Sequence, residues 1–207
     1  MALAVLGVFV AAAMAEPADG KYAYAVYREG SRIGTHTVEF AHMGDQLTVK
    51  TDIDIAFGYL LLFEFSYTHQ AVEVWSGGQL KEFTSFTDDD GDRREVHAWR
   101  EGDRLLVNTG GSSRTKDMPG SLIPGSLWHP STVERTEILD PIKGRLRRIG
   151  VVDKGRELID LPRGVIEAHR FSMSGGLERE IWYDSTWMVV KVAFKGDDGS
   201  QIALVLQ

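Results

Sequence analysis

Between Leu47 and Trp75 the chain alternates. Leu47, Val49, Thr51, Ile53, Ile55 and Phe57 hold one parity; Thr48, Lys50, Asp52, Asp54 and Ala56 hold the other. A period of two belongs to a half-buried strand, because successive side chains leave opposite faces. The alternation halts at Gly58–Leu62, which is apolar on every side. It resumes with Phe63, Phe65, Tyr67 and His69 set against Glu64, Ser66, Thr68 and Gln70. After Ala71 the apolar parity passes to Val72 and Val74, which predicts a β-bulge. The stretch therefore reads as two strands joined at Gly58–Leu62, with the rest of the chain wrapped around them. That joint is either ordinary core or an apolar lip at the mouth of a pocket.

Short turns punctuate the flanking sequence. Lys21–Arg28 and Thr35–His42 alternate, and the segment between them, Glu29–Gly34, predicts a turn whose two glycines take positive φ. Leu80–Asp88 and Arg93–Arg100 form a hairpin across Asp89–Asp92, and Arg104–Thr109 follows. Strands return at Leu146–Val152, Arg156–Asp160, Val165–Met173, Leu177–Asp184, Met188–Lys195 and Ser200–Leu206. Connections this short imply antiparallel pairing, since parallel strands need long crossovers. Gly110–His129 differs: it carries Pro119, Pro124 and four glycines without alternation, and reads as a long loop crossing the molecule. Pro130–Leu139 is the single helix candidate, with Ser131-x-x-Glu134 as a capping box and Asp140-Pro141 as its stop.

Residues 1–15 carry a different signal. Leu3–Ala13 is apolar but too short to span a bilayer, and Ala13-Met14-Ala15 is a small-x-small cleavage pattern. No Lys or Arg precedes the apolar run. The expectation is a signal peptide over 1–15 and one domain over 16–207, located in the periplasm or outside the cell, with no transmembrane segment in the mature chain. With 207 residues, 43% of them hydrophobic, there is enough apolar material for a core without covalent staples. That matters because the chain has no cysteine, which removes disulfides, thiolate chemistry and a lipidated cysteine. A net charge of −7 argues against general nucleic-acid binding.

Residues that could carry chemistry are present without a specifying pattern. Asp88–Asp92 could offer oxygen ligands to calcium, but its spacing is that of a hairpin turn. His36, His42, His69, His97, His129 and His169 form no short-spaced ligand motif. His36 and His69 share parity with aromatic residues, so both point inward and could converge. Ser126 and His129 are a serine–histidine pair in a loop, with no nucleophile elbow around them. Lys143, Arg145, Arg147 and Arg148 form a basic run that could meet a phosphate or lipid head group, or simply a solvated face. Arg179 reads as a member of a cross-strand ion pair rather than a substrate clamp. Trp128, in the Gly/Pro-rich loop, either plugs the open face of the sheet or gates a ligand.

Four segments occur in a suggestive order: Tyr22–His36 (YAYAVYREGSRIGTH), Glu73–Trp75 (EVW), Ser126–Pro130 (SLWHP) and Leu177–Asp184 (LEREIWYD). Together they resemble an uncharacterised domain-of-unknown-function family of exported bacterial β-rich proteins, over essentially the whole mature chain. That resemblance implies no activity and no catalytic residue. More distantly, the meander ending in Trp182-Tyr183-Asp184 is similar to LolA/LolB-type periplasmic lipoprotein carriers. This second resemblance implies an antiparallel sheet curled round an apolar cavity that holds acyl chains.

The expected fold is mainly β: one strongly curved antiparallel sheet or partly open β-barrel of about eleven strands. One short helix and the long loop should cover its concave face. The expected function is non-enzymatic binding of an apolar or amphipathic small molecule such as a lipid, with Phe57, Tyr59, Phe63, Phe65, Tyr67 and Trp128 as ligand-binding residues. No catalytic residue, metal or cofactor is expected. The alternatives are a cell-envelope module that docks a protein partner, and a metal-dependent or serine hydrolase.

Overall fold

The computed structural model describes residues 17–59 and 63–207, so the expected signal peptide and residues 60–62 of the apolar joint lie outside the described residues. Fourteen strands follow one another: β1 (Gly20–Arg28), β2 (Ser31–Met43), β3 (Gln46–Tyr59), β4 (Phe63–Ser76), β5 (Gln79–Asp89), β6 (Asp92–Glu101) and β7 (Arg104–Thr109), then β8 (Lys116–Pro119), β9 (Glu137–Leu139), β10 (Leu146–Leu161), β11 (Gly164–Gly175), β12 (Arg179–Tyr183), β13 (Val189–Lys195) and β14 (Gln201–Leu206). They form one sheet in the order β8-β7-β6-β5-β4-β3-β2-β1-β14-β13-β12-β11-β10-β9. Each paired strand runs antiparallel to its neighbour, as the short turns require. Among the described residues the count is fourteen rather than about eleven. The sheet does not close: β8 and β9 are its two ends.

The sheet curls so that its two halves face each other. One core cluster joins Val38, Phe40, Leu47, Val49, Trp75 and Phe83 of the first half to Phe171, Met173, Ile181, Tyr183 and Val192 of the second. The halves meet at the β1–β14 pairing, where Tyr24 lies opposite Leu206. A smaller cluster of Ile159, Ala168, Trp182 and Val190 sits apart. The β10–β11 hairpin reaches it after a register shift between Asp153 and Gly155, where Gly155 takes φ 81°.

Two local expectations are corrected. The helix over Pro130–Leu139 is a five-residue 3-10 turn, Pro130–Glu134, followed by strand β9. His129 takes the N-cap and Pro130 the first turn, so the Ser131–Glu134 capping box does not form. Glu29–Gly34 is a turn only at Glu29-Gly30; Gly34 lies inside β2, and it is glycine for another reason. A Cβ there would stand 2.1 Å from the Asp54 carbonyl oxygen of β3, so only a hydrogen fits.

Candidate functional site

The β3–β4 hairpin pairs without a shift from Gln46–Ser76 to Tyr59–Phe63, so the two strands form one continuous ladder. Burial along its inner face is graded. Leu47, Val49, Ala71 and Trp75 are buried, whereas Ile53, Ile55, Phe57, Phe65 and Tyr67 are half-buried. One end of the interior is filled and the other leaves aromatic side chains within reach of solvent.

The filling comes from the Gly/Pro-rich crossing. Leu122, Ile123 and Trp128 of the crossing join the main core, together with Ile138 and Leu139 of β9 beside it. The crossing folds back on itself through Leu139 N to Ile123 O at 2.8 Å and Gly125 N to Leu139 O at 3.0 Å. The expected covering role holds, although the segment also contributes β8 and leads into β9. Leu127 adopts φ 70°, a conformation costly for a bulky residue, and the Tyr183 hydroxyl donates to its carbonyl at 2.8 Å. That geometry delivers Trp128 into the interior, where its ring meets Phe40 and Trp75 edge-on, each at 5.4 Å.

Glu73 anchors the filled end. Its carboxylate is 1% exposed and accepts the indole N–H of Trp75 at 2.9 Å and of Trp128 at 3.0 Å. Burial pushes its pKa up to about 7, against the opposing pull of Ser126, Trp128 and Trp75. The Ser126 hydroxyl acts on the carboxylate at short range, yet no hydrogen bond of ordinary geometry satisfies it. His129 stacks on Trp75 at 4.8 Å, and burial lowers its pKa to about 4. Its Nδ1 accepts from the Ser131 amide at 3.2 Å and lies 2.8 Å from the Ser131 hydroxyl, so its partner is Ser131 rather than Ser126. Glu73 also corrects the predicted bulge. Parity does not switch after Ala71; Val72 and Val74 face outward because the inner position between Ala71 and Trp75 is occupied by a carboxylate. The true register shift lies between Val74 and Trp75, in the pairing with β5.

Toward the open end the inner face becomes polar. His36 and His69 do point inward, but Ile53 separates them in the ladder, two strand spacings or about 9.6 Å apart. Burial lowers both pKa values to about 4, so both rings are neutral near pH 7. His69 Nδ1 lies 2.8 Å from Thr87 Oγ1. Both ring nitrogens of His36 are shielded from solvent, and among the described residues neither has a hydrogen-bond partner. Among the described residues no three His, Cys, Asp or Glu groups could hold a metal ion. The acidic hairpin is a turn: Asp88 accepts Gly91 N at 2.8 Å and Arg93 Nε at 2.9 Å.

The basic run is largely neutralised from within. Arg147 and Arg145 pair with the buried Asp140 at 2.8 and 3.4 Å, and Arg148 with Glu137 at 3.3 Å. Arg179 is the opposite case. Period two sends it inward with Ile181 and Tyr183, while its neighbour Glu180 pairs with Arg170 at 2.7 Å. Among the described residues Arg179 does not form the expected cross-strand ion pair.

The expected ligand-binding set is therefore divided. The Phe57 and Phe65 rings meet at 5.1 Å, tilted by 38°, at the open end, with Tyr67 next along the inner row. Trp128 meets the sheet at Glu73, eight residues further along β4 than Phe65, roughly 26 Å away. The side chains of Tyr59 and Phe63 lie outside the described residues. Sequence reasoning missed Glu73 and Arg179. A separate trough of about 960 Å³ runs over the outward parity of β2–β7, lined by Thr37, Lys50, Asp52, Gln70, Phe86 and His97 among others.

A curled, unclosed antiparallel sheet with a covering segment in its interior defines a barrel-like β protein. The chain belongs to the family described as Domain of unknown function (DUF6134), whose model matches residues 24–207. A crystal structure described as a beta-barrel-like protein of domain of unknown function DUF1849 from Brucella abortus is similar, with a TM-score of 0.66 at 11% identity, over 90% of this chain and 95% of that one. At that identity the likeness shows the fold alone. No curated protein matches the chain.

Proposed function

We propose that this protein is a non-enzymatic binder of an amphipathic small molecule, held at the open end of the inner face. The observation that carries the reading is His36. A buried imidazole keeps a donor and an acceptor in every neutral tautomer, and leaving both without partners costs about 1–3 kcal/mol each. A ligand polar group reaching this depth offsets that cost. Beside it, half-buried Ile53, Ile55, Phe57 and Phe65 supply an apolar wall. The protein works in the periplasm or outside the cell, after removal of residues 1–15.

Purification from the native host, followed by organic extraction and mass spectrometry, tests the binding. An amphiphile recovered in stoichiometric amount supports it, and a blank extract that persists with His36→Leu and wild type alike speaks against it. Fractionation of native cells tests the location; recovery of the full-length chain in the cytoplasm removes it.

A second reading, an envelope interaction module, draws on the outward trough and on the β10–β11 hairpin, which exposes Leu158 at 73% and Val165 at 61%. Cross-linking in intact cells distinguishes the two, because only the module captures one protein partner reproducibly through those surfaces.

A further inference from the structure

We infer that the molecule bound at the open end carries an oxyanion head group, a carboxylate or a phosphate, and that Arg179 receives it. This rests on the binding reading above and adds the charge of the ligand. Arg179 lies on the inner parity of β12, with its guanidinium 3.7 Å above the centre of the Phe194 ring. Among the described residues its one hydrogen bond runs from Nη1 to the Glu178 carbonyl oxygen at 2.7 Å. Among the described residues no carboxylate stands within ion-pair distance of it; Asp197 and Glu178 act on it only from further away. A guanidinium offers five donors in a planar fork, so most of this one's capacity is idle.

The surroundings do not supply the missing charge. Arg147 adds a second positive field, but its charge is met by the Asp140 carboxylate, with Nε 2.8 Å from Oδ2, and its Nη1 donates to the Gly176 carbonyl at 2.7 Å. Tyr67, on the inner row of β4, lies within electrostatic range of Arg179, and burial pushes its pKa up to about 12, so its hydroxyl stays protonated and can donate. Burial likewise lowers Arg179 to about 10, the direction expected of a cation without a counter-ion. On the same sheet half, Arg170 pairs with Glu180 and Glu157, and Arg156 with Glu167. A half-buried cation left alone in such a protein marks the place of an anion that comes from elsewhere.

Position completes the argument. Tyr67 follows Phe65 on the inner row of β4. A single-chain amphiphile with its head at Arg179 and Tyr67 would lay its tail along Phe65 and Phe57, with its polarity matched end to end.

The test is titration of the purified protein, by calorimetry below micelle-forming concentration, with dodecanoate, dodecyl phosphate, dodecanol and dodecyltrimethylammonium. The oxyanions are expected to bind at least about tenfold tighter than dodecanol, as one charge-assisted hydrogen bond alone provides. Arg179→Met is expected to abolish that advantage, so that oxyanions and dodecanol bind the variant alike, and Arg179→Lys to retain part of it. Should Arg179→Met fail to fold, Arg179→Gln and the lysine variant carry the comparison. Which oxyanion binds tighter identifies the source, carboxylate or phosphate. Equal binding of dodecanol and the oxyanions, or unchanged oxyanion binding in the variants, overturns the head-group assignment and leaves the binding reading standing. If none of the four binds the wild-type protein, the binding reading itself falls.

Discussion

The Trp128 indole donates to Glu73 Oε1 at 3.0 Å across a sequence separation of 55 residues, and so ties the covering segment to the sheet. Replacement of Trp128 by Phe keeps most of the ring contacts with Phe40 and Trp75 but removes this donor. A buried carboxylate that loses one of its two indole partners should cost about 1.5–3 kcal/mol. The lower urea midpoint should come with faster amide exchange in Leu122–Leu127. A wild-type midpoint would mean that the bond contributes nothing to holding the crossing in place.

Glu73 itself should be visible in the pH dependence of stability. Its folded pKa, raised to about 7, exceeds the ordinary value of 4.5. Between those values the folded state binds more protons than the unfolded state, so this group makes stability fall as pH rises from about 4.5 to 7, then level off. Glu73→Gln removes the titration. The variant should therefore gain on the wild type across that window, by on the order of 2–3 kcal/mol. Denaturant unfolding at several pH values from 4 to 8 measures the difference, and a gap that stays constant would refute the assignment.

How far the sequence could be read follows from which interactions are local. The β3–β4 ladder is legible because alternation is local and both strands are long. The number of strands is not: β8 and β9 span four and three residues, too few for alternation to show, although each pairs with its sequence neighbour, β7 and β10. Pro130–Leu139 resembled a capped helix because Ser131 and Glu134 have the right spacing, yet His129 claimed the cap. At Glu73 the misreading is instructive. An inward carboxylate looks like a parity break, and a bulge explains a parity break more cheaply than a buried acid whose partner Trp128 is far away in sequence. For Arg179 a cross-strand ion pair was expected, but across the ladder it meets Met173 of β11, which carries no charge. A strict application of period two would have isolated Arg179 on the inner face.

Gly34 tests the packing of β2 on β3. Its missing side chain lets the Asp54 carbonyl approach to a distance no Cβ tolerates, and the Ile55 Cα would stand at 2.8 Å from that atom. Both obstacles are backbone, so they cannot rotate aside. Gly34→Ala should destabilise the protein by about 2–4 kcal/mol through strain. Gly30→Ala, where open space surrounds a φ of 79°, should cost about 1 kcal/mol. Thermal unfolding of the two variants compares them, and equal losses would show that the close approach is not what the glycine serves.

His36 gives the prediction that bears most directly on the ligand. Its folded pKa, lowered to about 4 by burial, lies below the ordinary 6.5. In that interval the unfolded state binds the extra proton, so the stability due to the neutral ring is complete above about pH 6.5 and is lost as pH falls toward 4. His69 and His129 titrate in the same sense, so together they outweigh Glu73 and the wild type should weaken in acid. His36→Leu removes one of these contributions along with two unsatisfied nitrogens. The purified variant, free of ligand, should be more stable than wild type by about 1–2 kcal/mol at pH 7, and by a wider margin at pH 5. Its affinity for an amphiphile should drop, because the polar contact is gone while the wall of Ile53, Ile55, Phe57 and Phe65 is intact. Unfolding curves at both pH values and one binding titration decide the matter: a variant that loses stability and keeps full affinity would show that the ring packs as ordinary core.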